Sequence, residues 1–126
     1  MGPLDTVKAA LQAYIDKDRA ATEALISDDY SFTSPLDNAI DRETYFRLCW
    51  PNSEGMSSMD FIAGAEDGDH PWVTYEGGSG GRRSRNTEYH RVRHSQLVAT
   101  EVYFGWNLPH PVAAGDHYDN GGKATG

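Results

Sequence analysis

The chain has 126 residues, the length of one domain, and its 11 Lys and Arg against 19 Asp and Glu leave a net charge of −8. That balance disfavours non-specific nucleic-acid binding, which is led by phosphate neutralisation, and the single cysteine, Cys49, excludes an internal disulfide and a multi-cysteine zinc site. No apolar run approaches the ~20 residues of a membrane span and no basic-then-apolar leader is visible, so the expectation is a cytoplasmic protein with neither nucleic acid nor membrane as partner.

In residues 4–17 the apolar positions Leu4, Val7, Leu11, Tyr14 and Ile15 recur at helical spacing, and Pro3 suits a first turn. The stripe puts Tyr14 on the buried face. A second short helix is expected over about 19–27, capped by Asp18 and burying Ala21, Ala24 and Leu25. YSFTSP at 30–35 reads as a short strand stopped by Pro35. Asp41 then caps a third helix, DRETYFRLCW, which Pro51 ends, and NSEGMSS follows as a loop. Strands are expected over 59–66, 70–77, 84–93 and 97–106, where β-branched and aromatic residues alternate. They form an antiparallel meander, with GGSGG at 77–81 a flexible hairpin turn and HSQ at 94–96 a tight one. Residues 113–126 lack apolar periodicity and read as a mobile tail behind a single domain spanning 1–112. Helices followed by a hairpin sheet imply an α+β fold. A strongly bent antiparallel sheet wrapped around three helices would form a cone with an interior.

The stretch NTEYHRVRH carries the functional signal. Val92 wants burial, and period-2 alternation puts His90, Glu88 and Asn86 on its side. Arg85, Arg91 and Arg93 fall on the other side, where they stay in water. A plain core strand would not accept three inward polar groups, because each unpaired one costs roughly 1–3 kcal/mol. On the next strand Leu97, Ala99, Glu101 and Tyr103 share one face and Val98, Val102 and Phe104 the other. The first set is taken as pocket-lining and the second as outer; a bulge would reverse that choice.

Each candidate has a plainer reading beside it. Tyr14 is either a pocket hydroxyl or an amphipathic core residue. Glu88 is either a pocket acid or half of a structural ion pair. His90 could exchange protons near neutral pH or be a satisfied buried histidine. Asn86 suits orienting a ligand, Asp37 could be a turn residue bonding its own backbone, and Trp50, ending the third helix, is the tryptophan best placed to line a pocket. No metal site is expected: His90 and His94 have a helical metal spacing, but on a strand four residues span roughly 13 Å. GGSGG lacks the Lys-Ser/Thr of a phosphate loop. No cofactor is implied.

The order of elements and the phrases CWPNSE, RNTEYHRVR and TEVYFGW resemble the SnoaL-like branch of the nuclear-transport-factor-2-like (NTF2-like) superfamily, over roughly residues 4–110. The resemblance implies a cone-shaped α+β barrel with a deep pocket between helices and curved sheet, often dimeric through the sheet's outer face. The superfamily includes ketosteroid isomerases, polyketide cyclases and limonene-type epoxide hydrolases, so membership leaves function open. Along QAYI the chain is similar to the isomerases, whose first-helix tyrosine lies in the oxyanion hole; Tyr14 matches it. Glu88 matches their protonated oxyanion acid. The isomerase base immediately precedes a proline, whereas Pro35 here follows Ser34; Asp37 is the available substitute. The epoxide-hydrolase pattern of Asp–Arg–Asp is not met, for the inner face offers Glu88 and Glu101 but no inward arginine. The expectation is a pocket for a small apolar molecule, in a homodimer. Tyr14, Glu88, His90 and Asp37 would perform acid–base chemistry on a carbonyl compound, with Trp50, Asn86, Glu101 and Tyr103 lining. A non-catalytic binding domain is the alternative. Dimerisation through Val98, Val102 and Phe104 is compatible with either.

Overall fold

The computed structural model describes residues 2–79, 81–119 and 121; Gly80 of the GGSGG turn and residues 120 and 122–126 of the expected tail lie outside them. Two helices, α1 (Pro3–Ile15) and α2 (Arg19–Leu25), lead into β1 (Ile26–Ser34) and β2 (Asp37–Asp41). Helix α3 (Arg42–Leu48) and a 3-10 turn (Trp50–Gly55) precede β3 (Ser58–Asp67), β4 (His70–Ser79), β5 (Arg82–Arg93) and β6 (Gln96–Leu108). The sheet order is β2-β1-β6-β5-β4-β3. The expected antiparallel meander is β3 to β6, but β1 pairs parallel with β6, so the sheet is mixed rather than wholly antiparallel. Strand β2 was not foreseen: the chain turns back after Pro35 and pairs with β1.

Local chemistry sets the helix ends. Asp18 Oδ1 accepts the Ala21 N–H at 3.1 Å and Asp41 Oδ1 that of Thr44 at 2.9 Å, satisfying first-turn donors that have no partner within the helix. Pro3 occupies the first turn of α1, and Glu66 on β3 accepts the Leu4 N–H at 2.8 Å. The buried face of α1 is Thr6, Val7, Ala10 and Ala13, while Leu4, Leu11, Tyr14 and Ile15 are half-buried. The face is rotated from the expected stripe because short side chains let the helix lie close on the sheet, and Gly64 of β3 leaves room for Leu4. In α2 the buried residue is Thr22, bonded to the Asp18 carbonyl, and Ala24 is exposed, contrary to the expected pattern.

Helix α1 crosses β3 and β4, and α3 covers β1. The core between them joins Val7 and Ala10 to Tyr45 and Phe46 of α3 and to Val73 and Leu97 of the sheet. Among the described residues no helix is long and apolar enough to cross a membrane.

Two irregularities in the β5–β6 ladder bend the sheet. Arg91 pairs with Ala99 but Val92 with Leu97, so Val98 is an extra residue on β6. Asn86 pairs with Phe104 but Ser84 with Asn107, which puts a second bulge at Gly105 and Trp106 opposite Arg85. The first changes side-chain parity: Leu97 faces inward, and beyond Val98 the inward set is Thr100, Val102 and Phe104. The expected outer trio of Val98, Val102 and Phe104 therefore does not exist as a docking face. Val98 is buried, and the other two line the interior.

Candidate active site

The concave side of the sheet encloses a cavity of about 350 Å³. Its walls include Leu11, Ile26, Phe32, Met59, Leu97 and Val102, and the exposed Leu36 and Arg82 mark its open end. Tyr14, Asp37, Asn86, Glu88 and His90 all line it. The inward direction of Asn86, Glu88 and His90 follows from β5 alternation: these residues pair with Phe104, Val102 and Thr100, and directly opposed residues share a face.

Glu88 and His90 are buried, His90 being 1% exposed. Tyr75 donates to Glu88 Oε2 at 2.7 Å, and Asn86 Nδ2 donates to the Tyr75 oxygen at 3.4 Å. His90 Nδ1 and the Thr100 hydroxyl are 2.9 Å apart. His90 Nε2 lies 3.0 Å from Glu88 Oε1, yet off the line of a hydrogen bond, so Nε2 has no hydrogen-bond partner among the described residues.

Phenols dominate the rest of the polar surface. Burial pushes Tyr14, Tyr30 and Tyr75 well above the usual phenol range, and proximity to Glu88 adds to each shift. All three are therefore protonated donors at ordinary pH. Tyr14 donates to the Cys49 carbonyl at 3.3 Å. Asp37 Oδ2 accepts from Ser34 at 2.7 Å. Burial, helped by Asp37, pushes the Cys49 thiol up to about 11, which makes it a poor nucleophile.

Three expected lining residues stand elsewhere. Trp50 packs edge-on against the Tyr14 ring, 5.7 Å between centroids, and backs that ring rather than lining the cavity. Glu101 and Tyr103 pair with Tyr89 and Thr87 on the outer face, where Tyr103 donates to Glu101 at 2.6 Å; the Val98 bulge turned them outward. Conversely, Arg82 and Arg83 do line the open end, although the strand pattern offered no inward arginine. Arg83 is bound to Ser58 and Asp60, each at 2.7 Å. Sequence reasoning missed Tyr30, Tyr45, Tyr75 and Thr100. The observed register pairs Tyr75 with Asn86, whereas folding the chain about the middle of GGSGG would oppose it to Arg83, so no signal for it was present in the sequence.

No family model matches the sequence, and no curated protein matches it. Solved structures do resemble it. An NTF2-like protein of unknown function from Burkholderia xenovorans superimposes with a TM-score of 0.70 at 18% identity, over 87% of this chain and 84% of that one. An LEH-like epoxide hydrolase from M. tuberculosis gives 0.67 at 18% identity over 82% of each chain. A protein of ketosteroid isomerase-like fold from Catenulispora acidiphila, in complex with trimethylamine, gives 0.64 at 16%, over 82% of this chain and 87% of that one. The chain has the cone-shaped α+β fold of the NTF2-like and ketosteroid isomerase-like proteins.

Proposed function

We propose that the cavity binds a small apolar carbonyl compound and transfers a proton at the carbon beside that carbonyl. The observation that carries this reading is the convergence of Tyr14, Asp37, Glu88 and His90 on one mainly apolar cavity. A hydrogen bond of 3.3 Å to Cys49 is long, so the Tyr14 hydroxyl can exchange it for the carbonyl oxygen of a bound molecule. Asp37, half-buried, takes the α-proton. The C–H electron pair moves into the enolate, whose oxygen Tyr14 holds by hydrogen bonding. Return of the proton to a conjugated carbon completes an isomerisation. The Glu88–His90 pair supplies the second polar anchor.

Conversion of cyclohex-3-enone to cyclohex-2-enone, followed by ultraviolet absorbance, tests the scheme. Tyr14→Phe and Asp37→Asn are each expected to lower kcat by about 10²–10⁴-fold. Wild-type turnover no faster than buffer, or full activity in both variants, would remove it.

A non-catalytic binding role is the second reading. It is favoured by one feature: Tyr14 and Asp37 already have partners, in Cys49 and Ser34. We also propose a homodimer through the outer sheet face, on which Trp72 and Tyr103 are 40% and 51% exposed. Light scattering at micromolar concentration should give twice the chain mass; a monomer would exclude it.

A further inference from the structure

We propose that the inner end of the cavity is a hydroxyl subsite: an alcohol there accepts a hydrogen bond from His90 Nε2 and donates one to Glu88 Oε1. The proposal rests on the reading that the cavity takes a small apolar molecule, and it adds which functional group that molecule carries.

The hydrogen-bond inventory leads to it. Glu88 has two carboxylate oxygens, and Tyr75 occupies Oε2. His90 has two ring nitrogens, and Thr100 occupies Nδ1. Nε2 and Oε1 remain, 3.0 Å apart and not hydrogen-bonded to each other. With Glu88 ionised, Nε2 carries a proton: if Nδ1 accepts from Thr100, the single ring proton is on Nε2; if Nδ1 donates, the imidazolium avoids two lone pairs facing each other at that distance. The subsite thus presents one donor and one acceptor side by side, on side chains that are 1% and 8% exposed. A buried donor left without a partner is costly, which favours a ligand group that completes it.

The pairing discriminates between functional groups. A hydroxyl has one O–H to give Oε1 and lone pairs to receive Nε2–H. A ketone oxygen can accept from Nε2 but has no proton for Oε1. A hydrocarbon satisfies neither.

A matched set of 2-indanol, 2-indanone and indane, titrated calorimetrically into the wild-type protein, tests this directly. The alcohol is expected to bind about tenfold or more tightly than the other two. His90→Phe should erase the difference, and His90→Gln, which keeps a donor, should retain part of it. Should His90→Phe fail to fold, the wild-type comparison still decides. Equal affinities, a tighter ketone, no binding of any of the three, or an alcohol preference that survives in folded His90→Phe overturns the subsite. A tighter ketone would remove the subsite while leaving the carbonyl reading intact. An alcohol preference without cyclohexenone turnover would support the subsite and remove the catalysis.

Discussion

A buried carboxylate ringed by phenols sets the electrostatics of this molecule. Tyr14, Tyr30, Tyr45 and Tyr75 are all raised above the ordinary phenol value of 10.0, burial being the first cause in each. The sign of the linkage follows. The folded chain holds protons that the unfolded chain loses above pH ~10, so this stability is complete below that pH and declines as pH rises further. Urea midpoints should therefore show no loss from these groups up to about pH 10 and a fall beyond it. Absorbance at 295 nm should show these four phenols ionising together with unfolding. Gradual ionisation of all seven tyrosines in the folded protein would contradict that. Tyr75 matters further because it is the donor to Glu88 Oε2. Tyr75→Phe leaves that buried oxygen without its donor and should cost about 1–3 kcal/mol in chemical denaturation. A change under ~0.5 kcal/mol would mean that water replaces the phenol there. At this scale the sequence was informative where one apolar residue fixed a face. Val92 is buried, and alternation carried His90, Glu88 and Asn86 inward with it. It was uninformative where a side chain reaches its partner across strands, as Tyr75 does.

Strand β6 shows how one inserted residue decides which side chains meet a ligand. Val98 lies between partners that are consecutive on β5. Parity counted from Leu97 put Glu101 and Tyr103 in the pocket; counted past the bulge it puts Thr100, Val102 and Phe104 there. No property of the stretch LVATEVYFGW announces the shift, because both of its faces carry apolar residues and a bulge depends on the partner strand. In β5 only one face is apolar enough to bury, so its parity was legible. Thiol labelling distinguishes the two parities. Tyr103→Cys should react readily with a charged disulfide reagent, and Thr100→Cys, at a site 3% exposed, should react at least ~10-fold more slowly. The native Cys49 adds little background, since its thiol is pushed up to about 11. Equal rates at the two positions would mean that the bulge is not maintained in solution.

The cavity exists because the whole sheet curves around α1 and α3, and that curvature rests on backbone irregularities more than on side chains. Ladder shifts occur in β1 and β3 as well as twice between β5 and β6. The order of helices and strands, and hence the fold class, was legible from periodicity and turn residues. The parallel β1–β6 pairing was not, since it joins segments about seventy residues apart and no local pattern encodes it. Gly105 is the clearest point at which sequence and curvature meet. A Cβ there would run into the Arg85 backbone carbonyl, because the second bulge brings the two strands' main chains together at that position. Backbone cannot swing aside as a flexible side chain can, so the clash must be relieved by opening the bend. Gly105→Ala should therefore cost roughly 1–3 kcal/mol in thermal or urea unfolding. The bend lies beside Phe104 and Asn107, which line the cavity, so the same substitution should weaken binding of 2-indanol as well. Gly68→Ala serves as the contrast: its backbone has positive φ, 61°, which that of Gly105 does not, and no atom lies near the added methyl, so its cost is conformational strain alone and its effect on binding should be nil. If the two variants lose the same stability and bind equally well, local strain rather than sheet curvature explains Gly105.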